Sequence, residues 1–400
     1  MYFKRFLPVF LSVLFLAVSV VYVSDKPVPL AVSKKATADS PTVRHRDMRG
    51  VWVTYMTLDV EDEADKETAF KARVDDIIGY MSDNSLNTMI VQVRPFCDAI
   101  YPSKHFPWSH ILTGTQGEDP GYDPLQYIID RSHESDIAVH AWINPYRIAT
   151  AQTPPELCEN NPYIREPDIG VQVNDGLYLD PASEKARELI VKGVCELAQR
   201  YDIDGIQFDD YFYPPDCGDF DKESYEAYKQ NADSPLSLED FRKDNVSRLI
   251  KAVYEAAHKA KPDISFGVSP QGNLKNNDDI YADVAKWCTE SGYIDYICPQ
   301  LYYSLDNPAL RFEQALREWQ DLDMADGISL YIGLPVYKAG TDADGGTWLD
   351  NDDILLTEVK ICEESGADGF MLYSYDSLFN EESSDEVKNV MNYLTGSPVQ

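Results

Sequence analysis

Short apolar runs rich in β-branched residues alternate with longer amphipathic stretches from Met48 to the end of the chain. The apolar runs predict eight strands, at Arg49–Met56, Thr88–Pro95, Ala138–Tyr146, Gly205–Tyr213, Ile264–Pro270, Ile294–Tyr302, Ser329–Tyr337 and Gly369–Asp376. The amphipathic stretches predict one helix after each strand, at Glu67–Ser82, Pro124–Glu134, Glu184–Tyr201, Leu238–Ala260, Asp279–Glu290, Pro308–Leu322, Asp353–Glu364 and Glu386–Leu394. Eight such units with buried-type strands predict an α/β fold, a single (β/α)8 TIM barrel over residues 46–400.

The predicted connections differ in length at the two ends of the barrel. Helix-to-strand connections are short, as at residues 84–87, whereas the strand-to-helix loops after strands two, three and four span residues 96–123, 147–181 and 214–237. In TIM barrels the strand-to-helix loops build the functional site at the C-terminal face. We therefore expect the functional residues at the strand ends and in these three long loops.

An apolar segment from Phe6 to Val23 follows Lys4 and Arg5. Basic residues followed by an apolar run are typical of an export signal, and the length lies between that of a cleaved signal and that of a spanning helix. Residues 1–33 are therefore predicted to be a signal peptide or an N-terminal membrane anchor, tethered through residues 6–23, with residues 34–45 as a linker. Either alternative predicts export to the periplasm or the extracellular envelope.

Charge and motif content exclude several classes of function. The chain has 35 Lys and Arg residues against 68 Asp and Glu residues, a formal net charge of -33, so nucleic-acid binding is not expected. The six histidines lack the spacing of metal-binding motifs, and there is no phosphate-binding or dinucleotide-binding glycine motif. No metal or cofactor is therefore expected, and the pattern makes no prediction of oligomeric state.

The fourth predicted strand contains the first candidate for chemistry. Its alternation turns Gln207, Asp209 and Tyr211 toward the barrel axis, whereas Asp210 reaches the mouth only if the strand end bends. A carboxylate among aromatic residues with no Lys or Arg nearby in sequence is costly unless it is paired or functional. Asp209 is therefore predicted to be a catalytic nucleophile or base.

Other polar residues at the strand ends and in the long loops complete the candidate site. The carboxyl partner of Asp209 is left open among Asp98, Asp210 and Asp376. The residues expected to bind sugar hydroxyls or to stack on sugar rings are Arg94, Trp108, Trp142, Asn144, Tyr146, Tyr211, Gln271, Gln300 and Tyr302. Gln207 and His140 are interpreted as polar groups with partners inside the barrel. Acids, amides, aromatic rings and one arginine suit carbohydrate recognition, and glycoside hydrolysis requires two carboxyl groups.

Six sequence segments resemble the glycosyl hydrolase-like 10 family. They are Arg49–Val53, Val91–Pro95, Tyr101–Gly114, Pro120–Leu125, His140–Arg147 and Asp204–Pro214. The resemblance implies a TIM-barrel glycosidase of the bacterial envelope, because the family includes divisome-localised enzymes that act on denuded peptidoglycan strands. It implies a polysaccharide or a peptidoglycan glycan as the substrate.

Three functions remain open on the sequence. The first is glycoside hydrolysis by a carboxylate pair across the barrel mouth. The second is a barrel that binds an envelope glycan without cleaving it, and the third is another glycan reaction such as transglycosylation. The uncertain second carboxylate keeps the non-catalytic alternative open.

Overall fold

A computed structural model describes residues 47–214 and 216–397 of the chain. The predicted signal peptide or anchor and the linker, residues 1–33 and 34–45, lie outside these described residues. Within the described ranges, no helix is both long and apolar enough to cross a membrane.

Eight parallel strands close into a barrel, and three shorter strands form a separate antiparallel sheet. The barrel strands are β1 (Met48–Val53), β2 (Thr88–Arg94), β3 (Ala138–Ile143), β7 (Gly205–Phe208), β8 (Ser265–Val268), β9 (Tyr296–Ile297), β10 (Ser329–Pro335) and β11 (Gly369–Tyr373). The small sheet consists of β4 (Arg147–Ala149), β5 (Gly170–Val173) and β6 (Gly176–Leu179). Around the barrel the strands follow chain order, and β11 pairs with β1 to close it.

Helices surround the barrel and fill two of its long loops. They are α1 (Tyr55–Leu58), α2 (Lys66–Asp83), α3 (Pro124–His133), α4 (Pro162–Arg165), α5 (Glu184–Arg200), α6 (Lys222–Asn231), α7 (Leu238–Ala260), α8 (Val284–Thr289), α9 (Phe312–Gln320), α10 (Ala343–Gly346), α11 (Ile354–Ser365) and α12 (Ser384–Leu394). Short 3₁₀ turns occur at His110–Leu112, Pro167–Ile169, Leu274–Asp278, Val336–Lys338, Thr347–Leu349 and Asp376–Phe379. Side-chain caps begin several of the long helices, as Asp65 does for α2 and Ser183 for α5.

The predicted TIM barrel is confirmed, with shorter strands than the apolar pattern indicated. The sixth barrel strand is only Tyr296–Ile297, and beyond Pro299, which has no N–H to donate, the pairing continues only as isolated bridges from Gln300 to Gln271 and Gly333. The loop after β3 folds into the small sheet and α4, and the loop after β7 contains α6. Alternation and helical periodicity had not predicted these local elements.

Side chains alternate between two apolar layers. On β1, Val51 and Val53 join the large core between the strands and the helices, whereas Trp52 points into the barrel. The interior cluster also contains Trp142, Tyr296 and other large side chains, so the barrel is a packed core.

The polar groups inside the barrel are hydrogen-bonded to one another. Trp52 Nε1 donates to Gln207 Oε1 at 2.6 Å, and Gln207 Nε2 donates to the Tyr296 hydroxyl at 3.3 Å. His140 Nδ1 lies 3.0 Å from the same hydroxyl. The interpretation of Gln207 and His140 as partnered interior groups agrees with this network.

We predict that adding one methyl group inside the barrel is destabilising. A Cβ atom on Gly267 of β8 would lie 2.2 Å from the ring of Tyr296. We expect Gly267→Ala to lower the free energy of unfolding by about 1–3 kcal/mol, measured by urea denaturation. Gly79 in α2 is the matched control, because its Cβ would meet nothing within 4 Å. Gly79→Ala should raise stability by roughly 0.5–1 kcal/mol, and equal effects of the two changes would contradict the packed interior.

Candidate active site

A pocket of about 260 Å³ opens where the barrel strands end at the C-terminal face. We call it the mouth pocket. Its lining residues are Trp52, Trp142, Asp209, Asp210, Tyr211, Ser269, Gln300, Tyr302, Tyr337 and Tyr373. Two adjacent carboxyl groups therefore lie in a pocket whose walls are mainly aromatic.

The Asp209 carboxyl group is buried and held by three donors. Asp209 is only 4% exposed. Trp142 Nε1 donates to Asp209 Oδ2 at 2.9 Å, and Asn144 Nδ2 donates to the same oxygen. The Tyr211 amide donates to Oδ1 at 3.3 Å. These contacts fix the orientation of the carboxyl group at the pocket floor.

The surroundings of Asp209 shift its acidity toward neutral pH. Burial raises the pKa of Asp209 to about 7, and the neighbouring Asp210 carboxyl group adds to the increase. The Arg147 charge and the hydrogen bonds from Trp142 and the Tyr211 amide act in the opposite direction. A carboxyl group with such a pKa can give up or accept a proton near neutral pH.

Asp210 reaches the same pocket because the strand ends before it. β7 stops at Phe208, and the chain then turns, with the Phe212 amide donating to the Asp210 carbonyl at 3.0 Å. Burial raises the pKa of Asp210, while hydrogen bonds from Gln300 and Gln271 lower it. The bent strand end therefore brings two consecutive acids to one site.

Asn144 is oriented toward Asp209 by contacts to its own carbonyl oxygen. Gln92 Nε2 donates to Asn144 Oδ1 at 2.5 Å, and Arg147 Nη2 donates to it at 3.3 Å. Arg147 is anchored in turn by a 2.9 Å bond from Nε to the Pro95 carbonyl. Because the Asn144 oxygen is occupied, its amide nitrogen faces the Asp209 carboxylate.

Tyrosine rings form the outer wall of the mouth pocket. The Tyr302 ring centroid lies 5.8 Å from that of Tyr373 and 5.9 Å from that of Tyr337. Tyr211 stands at the rim and is 49% exposed, with the Arg147 guanidinium 5.2 Å from its ring centroid. Rings of this kind offer flat apolar faces with polar edges, which suit a pyranose.

Arg94 lies on the opposite side of the barrel wall from the expected one. The pairing of β2 with β3 shifts register between Gln92 and Arg94, so a bulge interrupts the alternation. The Arg94 guanidinium consequently packs 4.3 Å from the Phe106 ring centroid, in the layer between β2 and α5. The expectation that Arg94 binds sugar at the mouth does not fit this placement.

Tyr146, Trp108, Asp376 and Asp98 also lie outside the mouth pocket. Tyr146 is buried in the outer core, because the chain leaves β3 after Ile143. Trp108 lines a separate depression. Asp376 begins a 3₁₀ turn and accepts a 2.5 Å bond from the Thr57 hydroxyl.

Asp98 is fully buried in the loop after β2. Gln116 Nε2 donates to Asp98 Oδ2 at 3.0 Å, and His110 Nδ1 lies 3.6 Å from that oxygen. The Gln116 carbonyl oxygen accepts bonds from the Cys158 amide at 3.1 Å and from Asn161 Nδ2 at 3.2 Å. Asp98 therefore holds Gln116, which connects the β2 loop to the β3 loop, and Asp98 does not line the mouth pocket.

Five residues of the site had not been predicted as functional. They are Trp52, Arg147, Ser269, Tyr337 and Tyr373. Trp52 and Tyr373 could have been found by extending alternation along β1 and β11, since both side chains point into the barrel. Arg147 and Tyr337 lie beyond strands β3 and β10, where alternation no longer applies.

Across residues 47–214 and 216–397, no group of three His, Cys, Asp or Glu side chains could hold a metal ion. The residues of the mouth pocket offer carboxyl groups, amides and hydroxyls to a ligand. Proton transfer and charge stabilisation are the chemistry that these side chains can supply themselves.

Comparison with known proteins relates this chain to one family. Residues 47–349 match the family described as glycosyl hydrolase-like 10. Glycosyl hydrolase YngK of Bacillus subtilis (strain 168) is 36% identical over 333 residues, which cover 78% of this chain and 64% of that protein. Glycosyl hydrolase DigH of Escherichia coli (strain K12) is 34% identical over 326 residues, which cover 73% of this chain and 74% of that protein.

Solved structures share the fold at low sequence identity. The PgaB (BpsB) glycoside hydrolase domain from Bordetella bronchiseptica superposes with a TM-score of 0.56 at 14% identity, covering 86% of this chain and 99% of that chain. A β-galactosidase from Bacillus circulans sp. alkalophilus gives a TM-score of 0.57 at 13% identity, covering 88% of this chain and 56% of that chain. At these identities the likeness supports the barrel fold alone.

We predict that Asp209 makes folding stability depend on pH. Its folded pKa of about 7 exceeds the ordinary value of 3.8, so the folded state binds more protons than the unfolded state between these values. Stability contributed by the protonated group is complete below about pH 4 and is lost as the pH rises through 7. Asp209→Asn should remove this loss. From pH 5 to pH 8, the difference in unfolding free energy between the variant and wild type should therefore change by on the order of 2 kcal/mol in favour of the variant.

The exposed Asp326 provides the control for this measurement. Unfolding free energies would be measured by urea denaturation at pH 5 and pH 8. The unfolding free energy of Asp326→Asn should change between these pH values by the same amount as that of wild type. Parallel curves for wild type and Asp209→Asn would show that Asp209 ionises normally in the folded protein.

Proposed function

Because this chain belongs to the glycosyl hydrolase-like 10 family, we propose that it hydrolyses glycosidic bonds of a bacterial envelope glycan, with Asp209 and Asp210 as the reacting pair. The observation that carries the proposal is the placement of both acids in one aromatic pocket at the barrel mouth. Hydrolysis needs one carboxyl group to protonate the leaving oxygen and a second to attack the sugar or activate water.

The two acids are suited to different roles. Asp209 has a pKa raised to about 7, so about half of the molecules carry its proton at neutral pH, and it is the proposed proton donor rather than the nucleophile or base that the sequence indicated. Burial raises the pKa of Asp210 as well, while the amide donors of Gln300 and Gln271 favour its ionised form. Asp210 is therefore the proposed ionised partner, which stabilises the developing positive charge and attacks the sugar or directs water to it.

The walls of the mouth pocket suit a sugar substrate. Trp142 and the tyrosines Tyr302, Tyr337 and Tyr373 supply ring faces, while Ser269 and Gln300 supply hydrogen-bonding groups. A polysaccharide such as a denuded peptidoglycan strand presents both features, apolar ring faces and hydroxyl or acetamido groups.

Export and the envelope substrate belong to the proposal as well. Lys4 and Arg5 ahead of the apolar residues 6–23 support export. The relatives named glycosyl hydrolase support action on a glycan, although the B. subtilis protein is matched over only 64% of its length.

Substitution of the paired acids should abolish hydrolysis. We expect Asp209→Asn and Asp210→Asn each to lower sugar release from amidase-stripped peptidoglycan by about 10²–10⁴-fold, because each removes one proton-transfer or charge-stabilising group. Products would be measured by chromatography and mass spectrometry of the released fragments. Circular dichroism and melting curves would establish that the variants fold.

Two other acids serve as matched controls. Asp326→Asn and Asp376→Asn should retain activity to within about threefold, since neither side chain lines the pocket. Full activity in Asp209→Asn would remove Asp209 from the mechanism. Binding by wild type with no released sugar would favour a glycan-binding protein, and anhydro product ends would indicate a transglycosylase.

The pH profile tests the proton donor separately. Since Asp209 must be protonated to act as the acid, kcat/KM should fall about tenfold per unit as the pH rises beyond about 7. The Trp142 hydrogen bond lowers the pKa of Asp209, so Trp142→Phe should move this alkaline limb to higher pH. If Trp142→Phe leaves the alkaline limb of the kcat/KM profile in place, or moves it to lower pH, Asp209 is not the acid.

A further inference from the structure

Two tyrosines in the wall of the mouth pocket lie beyond the ends of their strands. Tyr302 follows β9, which ends at Ile297, and Tyr337 follows β10, which ends at Pro335. Beyond β9 the strand pairing continues only as isolated bridges that Gln300 makes to its two neighbours. The hydrogen-bonded ladder of the barrel therefore extends to neither tyrosine, and other contacts must hold their backbone in place.

One ammonium group connects the two loops that carry these tyrosines. Lys338 is adjacent to Tyr337 in the chain, and its Nζ donates to the Tyr302 carbonyl oxygen at 2.8 Å. The same Nζ donates to Asp344 Oδ1 at 2.9 Å. The Lys338 and Asp344 side chains are only 17% and 13% exposed. Charge-assisted hydrogen bonds that are shielded from water are strong, so Lys338 holds the loop after β9 against the loop after β10.

The Asp344 carboxylate is fixed by further donors. Trp348 Nε1 donates to Asp344 Oδ2 at 2.9 Å, and Trp348 is fully buried. Burial by itself would raise the pKa of Asp344. The hydrogen bonds that this carboxylate accepts from Lys338, Trp348 and Asn307 outweigh burial and hold its pKa below the usual value. Asp344 is therefore ionised at neutral pH and supplies the counter-charge of Lys338.

The backbone that carries Lys338 is itself held in place. The Lys338 carbonyl oxygen accepts the Thr341 hydroxyl at 2.7 Å and the Thr341 amide at 3.1 Å. Gly340 adopts a φ of 70°, and a Cβ atom there would lie 1.9 Å from the Glu382 carbonyl oxygen. The loop after β10 therefore packs directly against the segment that leads into α12, at a position that only glycine fits. The Lys338 ammonium thus extends from a fixed backbone to Tyr302.

We propose that Lys338 is a positioning residue of the mouth pocket, which fixes the Tyr302 ring relative to the Tyr337 ring and thereby determines how tightly the pocket binds a sugar. This inference rests on the proposed function and adds a residue to the same site. The two ring centroids lie 5.9 Å apart in an edge-to-face arrangement. Lys338 does not line the pocket itself, so it acts on a bound sugar only through the tyrosines.

The contacts of Lys338 do not include the donors that hold the proposed acid. The Asp209 carboxyl group is held by Trp142, Asn144 and the Tyr211 amide. Loss of Lys338 should therefore weaken sugar binding equally in the ground state and the transition state, and should leave proton transfer intact. Such a loss raises KM and changes kcat little.

Two variants test the role of Lys338. Lys338→Met removes the ammonium and keeps a long unbranched side chain, but it leaves the Asp344 charge without its partner. The second variant therefore combines Lys338→Met with Asp344→Asn, which leaves no unpaired charge if the single variant fails to fold. On amidase-stripped peptidoglycan strands we expect each folded variant to raise KM about tenfold, with kcat within about threefold of wild type. The alkaline limb of the kcat/KM profile should stay in place.

Lys261 provides a matched control at the other end of the barrel. Its Nζ likewise donates to a carboxylate and to a backbone carbonyl, those of Asp202 at 2.7 Å and Ile203 at 2.8 Å. These three residues lie in helix-to-strand connections, at the end of the barrel opposite the mouth pocket. Lys261→Met should therefore leave both KM and kcat within about twofold of wild type.

The pattern of kinetic constants decides the inference. An unchanged KM in the folded Lys338 variants would overturn it, as would an equal rise of KM in Lys261→Met. A fall in kcat with an unchanged KM would also overturn it, because Lys338 would then affect the chemical step and not sugar binding.

Binding without cleavage separates this inference from the proposed function. Isothermal titration of the same strands would be carried out in the Asp209→Asn background, with and without the Lys338 substitutions. Weaker binding by the Lys338 variants, together with no sugar release by the wild type, would leave this inference standing and contradict hydrolysis. Sugar release by the wild type with equal binding in both backgrounds would contradict this inference alone. A wild-type protein that neither binds nor cleaves the strands would overturn both.

Discussion

The site depends on one buried carboxyl group. Asp209 is 4% exposed at the end of β7, where water cannot fully solvate its charge, so burial raises its pKa to about 7. Trp142 Nε1 donates to it at 2.9 Å and prevents a still larger shift. The balance between desolvation and these directed donors gives a group that exchanges protons near neutral pH, which is the requirement for an acid catalyst of glycosidic cleavage.

The barrel supplies this environment through contacts that extend well beyond Asp209. Inside the barrel, beneath the pocket, the Trp52 and Gln207 side chains are hydrogen-bonded to each other at 2.6 Å. Above them, Gln92 fixes Asn144 through a 2.5 Å bond and thereby directs its amide at Asp209. Catalytic groups need supporting residues of this kind to hold their geometry.

Sequence periodicity predicted the barrel and the position of Asp209 at its mouth, because both follow from regular alternation in β-strands. It placed Arg94 at the mouth, although a bulge turns that side chain outward, and a bulge leaves no clear signal in a single sequence. It left Asp210 undecided, since the turn after Phe208 depends on tertiary contacts. Likewise, the total charge of -33 gave no indication of the surface lined by Lys104, Arg165, Lys185 and Lys192, because cations from two loops and α5 meet there only after folding.

The most direct test of the central claim is a titration of the Asp209 carboxyl group by carbon-13 NMR in protein labelled at aspartate. The account predicts one aspartate resonance with a midpoint near pH 7 that disappears in Asp209→Asn. A spectrum in which Asp209→Asn removes only a resonance titrating near pH 4 would contradict the account, because Asp209 would then be ionised at neutral pH and could not donate the proton.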